Sequence, residues 1–387
     1  MLDFNKLYPK MLRDRQYLHK NAECGFDTPL TSRYIINTLK KIGYTPRVIG
    51  KGGIVAETKA NMGSYTLLRA DFDALPIFEE TDLEFKSQNG NMHACGHDIH
   101  TAILLGVARM LKKQEETLKT PVRLFFQPAE EILGGAKDAI ENGLLEEVNQ
   151  AFMLHVLPHI GIKSGTVIIP NGGIGAPAAL FYRITLQGVA SHGASPSAGR
   201  GVVAPMAQIA FAFDSIVSSM QSSNTLVHSL GKIECGNNAN SVPDTATIEG
   251  TMRSPSEETL NTLLDKVKKA TIGISSAYGV GCNLSIYASC PPLNNNDNLS
   301  NSASEIFNRN NIEFLSQKDF EQRESTVGGS EDFAYIAEKI PSLMIGIVAG
   351  TKPGVPLHNP KIEFDENIMP TGAKALYILS QEIQPKM

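Results

Sequence analysis

Apolar positions in the first part of the chain follow helical and strand periods in turn. Residues 29–42 (PLTSRYIINTLKKI) place apolar side chains at helical spacing, and Gly43 ends the run. A buried strand is predicted at 65–70, a helix with one apolar face at 100–113, and a second buried strand at 122–126. Because strands alternate with helices, this part of the chain favours a largely parallel sheet covered by helices.

From about residue 177 the order of predicted elements changes. A strand, a helix near 202–219, two strands, a helix and a last strand give the β-α-β-β-α-β order of ferredoxin-like domains. The α/β pattern then resumes with a helix at 330–339, a strand at 341–350 and a final helix at 366–383. The predicted fold class is α/β, a mainly parallel sheet flanked by helices, with an inserted ferredoxin-like α+β domain. The predicted boundaries are 1–176 and 292–387 for the α/β domain and 177–291 for the insertion.

The composition supports two folded domains and argues against a nucleic-acid partner. The 387 residues exceed one ordinary core, and 42% of them are hydrophobic. A net charge of −5 and a pI of about 6.0 oppose the basic face that a general nucleic-acid binder carries.

Signals for export or for a membrane are not recognised in the sequence, and we expect a soluble cytoplasmic protein. The first residues are rich in charges and hold no apolar run of signal-peptide length. The longest apolar stretch, 202–213, is shorter than the roughly 20 residues of a membrane span. The five cysteines are scattered without CxxC spacing, which predicts reduced thiols.

The segment 91–100 (NMHACGHDIH) concentrates three of the chain's nine histidines and one of its five cysteines. Cys95 and His97 are two positions apart, so an extended segment would project both side chains to the same side. Thiolate and imidazole are good ligands for zinc and related ions. Histidine-rich loops also occur without metal, and His93 and His100 either join such a site or flank it.

Two pairs of carboxylates follow predicted strands. In QPAEE, one of Glu130 and Glu131 could bind a metal while the other reaches the reacting water, and the alternative is a solvated pair at a helix start. Asp71 and Asp73 end the preceding strand in RADFDALP, and their spacing puts both carboxylates on one face. One of them could hydrogen-bond a ligating imidazole, and the alternative is a turn-capping role.

Two further histidines lie where ligands could lie. His155 interrupts an apolar strand at 151–157, where a lone histidine is more often a core residue, and His358 lies between prolines in PLHNP. Each candidate follows or interrupts a predicted strand, so all of them could converge at one edge of the sheet. All these candidate residues together indicate a metal site more strongly than any one of them does.

The inserted domain contributes polar candidates of its own. His192 lies between small residues in ASHGASPSAGR, and Asn240 and Arg253 lie in NNANSVPDTATIEGTMR. A histidine and an arginine remote from the metal cluster could bind a substrate's oxyanion and carboxylate. An arginine near a strand end is ordinarily a surface charge, which is the alternative for Arg253.

Taken in order, these segments resemble the aminoacylase/carboxypeptidase metallohydrolases, and among them the amidohydrolase branch with hippurate hydrolase, auxin–amino-acid conjugate hydrolases and N-acetyldiaminopimelate deacetylase. The matching segments are LRADFDALPIFEET, MHACGHDIHTAILLG, FFQPAEEILGGAK, FMLHVLP, SHGASP, NSVPDTATIEGTMR, GGSEDFAY and LHNP. The resemblance implies two divalent metal ions, zinc or manganese, with nickel or cobalt as alternatives. The ligands that it implies are Cys95, His97, Glu131, His155 and His358.

The same resemblance implies hydrolysis of an N-acyl amino acid to a carboxylic acid and a free amino acid. Glu130 would be the general base, taking a proton from a water that bridges the two ions and passing it to the leaving amine. In the inserted domain, which would serve as lid and dimerisation domain, His192 would assist at the oxyanion. Asn240 and Arg253 would hold the carboxylate of the product amino acid.

Other functions remain open at this point. A metallopeptidase that cuts dipeptides or C-terminal residues would share every catalytic group. A non-enzymatic binding protein would lack a ligand or the base, and none is missing. The partners expected are a small N-acyl amino acid or peptide substrate and further copies of the chain, as a homodimer or homotetramer, with no nucleic acid and no membrane. The segments KNAECGFDT, after His19, and HGASPSAGRGVV depart from the branch's usual residues, which leaves the acyl and amino-acid preferences open.

Overall fold

The computed structural model describes residues 3–59, 63–220, 226–316 and 329–383. The chain divides into two units. The first is formed by the described residues within Met1–Gly175, Asn294–Ser325 and Asp332–Met387. The second is formed by the described residues within Ala176–Leu293 and Thr326–Glu331.

The described elements are numbered in chain order. The helices are α1 (Tyr8–Lys20), α2 (Pro29–Ile42), α3 (His97–Lys113), α4 (Gly135–Glu141), α5 (Val203–Met220), α6 (Glu257–Ala277), α7 (Asp297–Arg309), α8 (Ala334–Ala337) and α9 (Met369–Glu382). The strands are β1 (Arg47–Ile49), β2 (Gly53–Glu57), β3 (Tyr65–Asp71), β4 (Val122–Gln127), β5 (Val148–His159), β6 (Val167–Ile169), β7 (Gly173–Ala176), β8 (Ala178–Gln187), β9 (Ser191–His192), β10 (Val227–Cys235), β11 (Ser241–Val242), β12 (Thr245–Ser254), β13 (Gly281–Cys290), β14 (Leu293–Asn295), β15 (Phe314–Ser316) and β16 (Ser342–Pro353).

The sheet of the first unit has eight strands in the order β1-β2-β4-β3-β5-β16-β6-β15. Its central strands β4, β3, β5 and β16 run parallel to one another, and α3 and α9 pack together on them. Asp71 at the end of β3 pairs with Gln127 at the end of β4, so the polar segments that follow both strands leave the sheet side by side. The predicted fold, a mainly parallel sheet flanked by helices, is confirmed.

The outer pairs β1–β2, β2–β4 and β6–β16 are antiparallel, so the sheet is mixed, in agreement with a prediction of mainly parallel strands. The predicted helices differ from the structure in two places. The helix predicted at 330–339 is reduced to the four residues of α8, because Asp332 turns into the core to accept a hydrogen bond from Arg69. Helix α7 is missed because its asparagine-rich start resembles a turn, yet Asn296 caps it by accepting from the Leu299 N–H.

The second unit has the ferredoxin-like arrangement that its element order predicts. Strands β8, β10, β12 and β13 form an antiparallel sheet in the order β10-β12-β8-β13, and helices α5 and α6 pack on it. Burial alternates along β12, as expected for a strand with one face in a core. That core includes Ile184, Ile248, Phe213 and Leu263.

Helix α5 is longer than the apolar run at 202–213 that the sequence analysis judged too short for a membrane span. By length and composition alone, this 18-residue helix could cross a membrane, the one described helix for which that holds. Pro205, Ile209, Phe213 and Val217 along the helix are nevertheless buried in the unit. These residues give α5 a packed side within the second unit.

Candidate metal centre

The cysteine–histidine segment is a turn that leads into α3, and not the extended segment that the sequence suggests. Gly96 is left-handed (φ 81°) and precedes His97, the first residue of α3. A Cβ on Gly96 would lie 2.4 Å from Val156 Cγ2, so glycine lets this turn approach β5. That approach brings Cys95 Sγ to 3.5 Å from His155 Nε2.

Backbone carbonyls fix the tautomers of two histidines in this cluster. His97 Nδ1 lies 2.9 Å from the carbonyl oxygen of Asp73, and His155 Nδ1 lies 2.6 Å from that of Val156. Because a carbonyl can only accept, both Nδ1 atoms carry a hydrogen. In the neutral ring each Nε2 then keeps a lone pair, which is the form of imidazole that binds a metal.

Glu131 and His358 complete the cluster of donor atoms. Glu131 Oε1 lies 3.9 Å from His97 Nε2, and Glu131 Oε2 lies 3.5 Å from His358 Nε2. Within each of two groups, Cys95 with His97 and His155, and Cys95 with Glu131 and His358, the donor atoms lie within 4.8 Å of one another. The structure therefore brings together all five residues that the resemblance implies as ligands.

His100 flanks this cluster and is not available as a ligand. Its Nδ1 lies 2.6 Å from Asp71 Oδ1, and its Nε2 accepts from the backbone N–H of Val156 at 2.9 Å. Asp71, His97 and His100 lie close enough to form a further candidate group. Because both ring nitrogens of His100 are already hydrogen-bonded, we interpret this histidine as a support between β3 and β5.

Asp73 holds the turn that carries the two glutamates. Its Oδ1 accepts from the Glu130 N–H at 3.0 Å and its Oδ2 from the Glu131 N–H at 3.2 Å. Ala129 before them and Leu133 after them are left-handed (φ 60° and 54°), which is costly for residues with a Cβ. The surrounding structure therefore imposes the direction of both glutamate side chains.

The two aspartates do not act through the contact that the sequence suggests. The imidazole of His97, a candidate ligand, bonds the backbone oxygen of Asp73, while the nearest Asp73 carboxylate oxygen is 3.6 Å from His97 Nδ1. The Asp71 carboxylate bonds His100 instead. Asp73 thus has the turn-capping role that was the alternative for this pair. Asp71 contacts His100, which lies beside the candidate ligands and is not one of them.

Glu130 lies beside the donor atoms but has different surroundings from Glu131. Its Oε2 is 3.8 Å from His97 Nε2, and the side chain is buried. Glu130 and Glu131 form one candidate group together with His97, whereas the group that contains Cys95 and His358 includes only Glu131 of the two. The adjacent carboxylates therefore have unequal access to the cluster, as two different roles require.

The electrostatics of the cluster favour a bound cation. Burial raises the pKa of Glu131 to about 7, against the opposing charge of His97. Burial also raises the pKa of the Cys95 thiol well above its usual range, with the Glu131 carboxylate acting in the same direction. Burial lowers the pKa of His155 to about 3. A metal cation in contact with these atoms would favour the thiolate, the carboxylate and the neutral imidazole.

The residues of this cluster fit a divalent metal. His97 Nε2 and Glu131 Oε1 are buried and have no hydrogen-bond partner among the described residues, an uncommon state for buried polar atoms. Sulfur, imidazole nitrogen and carboxylate oxygen together are a donor set for zinc and related ions. A metal bound at this cluster would give both atoms a partner.

A buried ion network beside the cluster is missed by the sequence analysis. Arg69 donates to Asp71 at 2.6 Å and to Asp332 at 2.9 Å, and all three side chains are fully buried. Burial opposes ionisation of Asp71, but the charges of His97, Arg69 and His100 hold its pKa well below its usual range. The available signal was an arginine inside an otherwise apolar predicted strand.

In the second unit, the structure brings two of the three polar candidates together. Strand β9 pairs His192 with Ser241 of β11, and the Asn240 carbonyl accepts from the Gly193 N–H at 2.7 Å. His192 Nδ1 accepts from the Ala194 N–H, so in the neutral ring Nε2 carries the hydrogen. Arg253 lies elsewhere in the unit.

Arg253 is held by two contacts of its own. It projects from β12 with its guanidinium over the Phe181 ring, 5.9 Å from the ring centre. Its Nη1 donates to Ser330 Oγ at 2.8 Å. The side chain is therefore oriented by the unit and is more than an unattached surface charge.

Residues 67–382 match the family model described as "Peptidase family M20/M25/M40". The chain belongs to this family. It is 32% identical to the N-acetylcysteine deacetylase of Bacillus subtilis (strain 168) over 94% of this chain and 93% of that protein. It is 34% identical to the hippurate hydrolase of Campylobacter jejuni over 84% of each chain.

Among solved structures, the chain is similar to a dinuclear metal binding peptidase of the M20 family from Bacillus subtilis. The identity is 28%, the TM-score is 0.75, and the match covers 98% of both chains. With the candidate ligand groups described above, this likeness identifies the chain as a metallohydrolase of the M20 family. The predicted family and enzyme class, a metal-dependent amidohydrolase, are confirmed.

Proposed function

We propose that the chain hydrolyses N-acyl amino acids to a carboxylic acid and a free amino acid, with two divalent ions held by its first unit. The observation that carries the proposal is the convergence of five donor side chains beside the buried carboxylate of Glu130. The names of the deacetylase and hippurate hydrolase relatives support an N-acyl amino acid as the substrate.

The ions would be held by Cys95, His97, Glu131, His155 and His358, of which Cys95 belongs to two candidate groups. Divalent ions, when bound, lower the pKa of water and polarise a carbonyl. Zinc or manganese suits the mixed donor set, and cobalt or nickel would also be accepted.

The chain's own residues supply the proton transfer and the orientation. Glu130 accepts a proton from the attacking water and delivers it to the leaving nitrogen, because its carboxylate is buried beside His97 and its amide is fixed by Asp73. His192 donates from Nε2 to the developing oxyanion. Asn240 and Arg253 bind the carboxylate of the amino-acid portion.

The assembly and the location are also proposals. The resemblance supports a homodimer or homotetramer assembled through the second unit. Five cysteines scattered along the chain without CxxC spacing support a reducing, cytoplasmic location.

The substrate class is tested by measuring amine release from N-acetyl, N-benzoyl and indoleacetyl amino acids beside a panel of dipeptides. We expect kcat/KM to be higher for at least one N-acyl amino acid than for any dipeptide. The peptidase named among the solved structures makes the dipeptide panel the necessary comparison. Faster cleavage of dipeptides would replace the proposal with a metallopeptidase.

The role of His192 gives a second expected result. His192→Ala should lower kcat by about 10-fold or more, because one donor to the oxyanion is lost, and should leave the bound metal unchanged. His192 belongs to the second unit and the five candidate ligands to the first, so its substitution removes no donor atom. Asn238→Ala, an exposed side chain in the second unit, is the control and should retain wild-type kcat. An unaltered kcat in His192→Ala would make His192 a surface residue.

A further inference from the structure

A second cluster of buried charges lies next to the five candidate metal ligands, and none of its members is one of those ligands. His19 of α1 has its Nδ1 2.9 Å from Asp98 Oδ2 and its Nε2 3.0 Å from Glu79 Oε1. Arg15, one turn earlier in α1, donates from Nε to the same Asp98 oxygen at 3.1 Å. All four side chains are buried. We call Arg15, His19, Glu79 and Asp98 the α1 ion cluster.

The contacts of His19 require a doubly protonated ring. Ionised carboxylates only accept, so both ring nitrogens must donate, one to Asp98 and one to Glu79. Burial opposes the charge, but Asp98 and Glu79 outweigh it and raise the pKa of His19 to about 9. The other groups that face the ring are the Arg15 guanidinium, His93 and the Phe85 ring. His19 is therefore a buried imidazolium that joins two carboxylates.

The α1 ion cluster ends on the helical turn that carries a proposed metal ligand. Asp98 directly follows His97, and both lie in the first turn of α3. From this turn the His97 ring bonds the Asp73 carbonyl oxygen through Nδ1 at 2.9 Å. The α1 ion cluster also has a contact outside α3, because Arg15 Nη1 lies 2.7 Å from Glu366 Oε1.

We propose that Arg15 and His19 are positioning residues for the metal centre, which fix Asp98 and, through the first turn of α3, the direction of His97 Nε2. The inference rests on the proposed metal centre. A hydrogen-bonded group that orients a ligand from outside the donor set commonly changes metal affinity or activity by about 10- to 100-fold. If these contacts only attached α1 to the rest of the unit, their loss would lower the free energy of unfolding and leave the metal affinity unchanged.

The same helix offers a matched control. Asp14 of α1 accepts from Arg109 Nη1 at 2.6 Å and from the Tyr34 hydroxyl at 2.8 Å. Asp14 is also buried and Arg109 is partly buried, and their contacts attach α1 to α2 and α3, but at Arg109, three turns beyond His97. Asp14→Asn therefore weakens the attachment of α1 without touching the first turn of α3.

The experiment compares His19→Asn, His19→Gln and Asp14→Asn for metal affinity, kcat and stability. Metal affinity is measured by competition with a chelator, using zinc and manganese, and stability by urea unfolding of the metal-depleted protein. We expect both His19 variants to bind metal about 10-fold or more weakly. Asp14→Asn should lose a similar amount of stability and keep wild-type metal affinity. His19 variants that keep wild-type metal affinity while losing as much stability as Asp14→Asn would overturn the proposal.

The pH dependence of stability separates this inference from the proposed function. The folded pKa of His19 is raised from 6.5 to about 9, so its contribution to stability is complete below about pH 6.5 and is lost as the pH rises through about 9. The metal-depleted wild type should therefore lose more stability between about pH 7 and about pH 10 than His19→Asn does. If this difference is observed but no metal binds, His19 is a buried imidazolium and the proposed metal-dependent function is wrong.

The wild-type protein provides a test that does not depend on the folding of a variant. Nitrogen NMR of the metal-loaded protein with labelled histidine should show one ring with both nitrogens protonated at about pH 8. An imidazolium at that pH supports the assignment of His19. Spectra in which every histidine is neutral or metal-bound at that pH would overturn it.

Discussion

Glu130→Gln is expected to lower kcat by at least ~10²–10⁴-fold, the usual contribution of a positioned general base, while the bound metal stays near the wild-type amount. The amide keeps the shape of the side chain and leaves all five proposed ligands in place, but it cannot accept a proton from water. The Glu130 backbone N–H would still bond Asp73, so the turn should be preserved. The measurement is metal stoichiometry beside kcat.

Glu131→Gln is the matched comparison, because it makes the same chemical change one residue later. Glu131 lies within reach of His97 and His358 and shares a donor group with Cys95. The amide replaces a charged oxygen donor with a neutral one, so metal occupancy itself should fall and added metal should partly restore the rate. If Glu130→Gln loses metal and Glu131→Gln keeps it, the two roles are reversed.

The convergence of the five candidate ligands was predictable because each has a chemically distinctive side chain in a local context of strands and turns. His155 is the clearest example, since an isolated histidine in an apolar strand was ambiguous until β5 placed it 3.5 Å from Cys95 Sγ. Cys95 and His97 converge for a different reason from the one predicted. The left-handed turn at Gly96, and not an extended segment, directs them to one place.

The supports around the ligands were not predictable from local pattern. The sequence left open whether His100 joins the site or flanks it, and its contacts with Asp71 and Val156, on two neighbouring strands, exclude it as a ligand. His19 and Asp98 are 79 positions apart and carry no motif that joins them. Such contacts depend on which helices pack together, and a single sequence does not encode that pairing in any short segment.

Removal of the metal is expected to abolish activity, by at least ~10²-fold, and addition of zinc or manganese should restore it, because the ions supply several kcal/mol of transition-state stabilisation. The test is chelation followed by dialysis and re-addition of each ion, with kcat and metal content measured at every step. Unfolding should be followed in the same samples, so that loss of fold is separated from loss of metal. Full turnover by metal-free protein would contradict the proposed function.

Cys95→Ser tests whether one residue serves both ions. Cys95 Sγ belongs to the donor group with His97 and His155 and to the group with Glu131 and His358. A serine hydroxyl does not readily ionise to replace a thiolate, so both ions, and not one alone, should bind more weakly. Loss of a single ion at unchanged affinity for the other would assign Cys95 to one metal.

A second thiol provides the control for that substitution. Cys24 is half-buried near Asp73 and Glu131, and burial raises its pKa to about 11. It contributes to none of the donor groups found among the described residues. Cys24→Ser should therefore keep both metal content and kcat near wild type, because the change removes a neighbouring thiol and no ligand. A loss of metal equal to that of Cys95→Ser would show that the effect comes from disturbing the fold around the centre, since only one of the two sulfurs lies among the donor atoms.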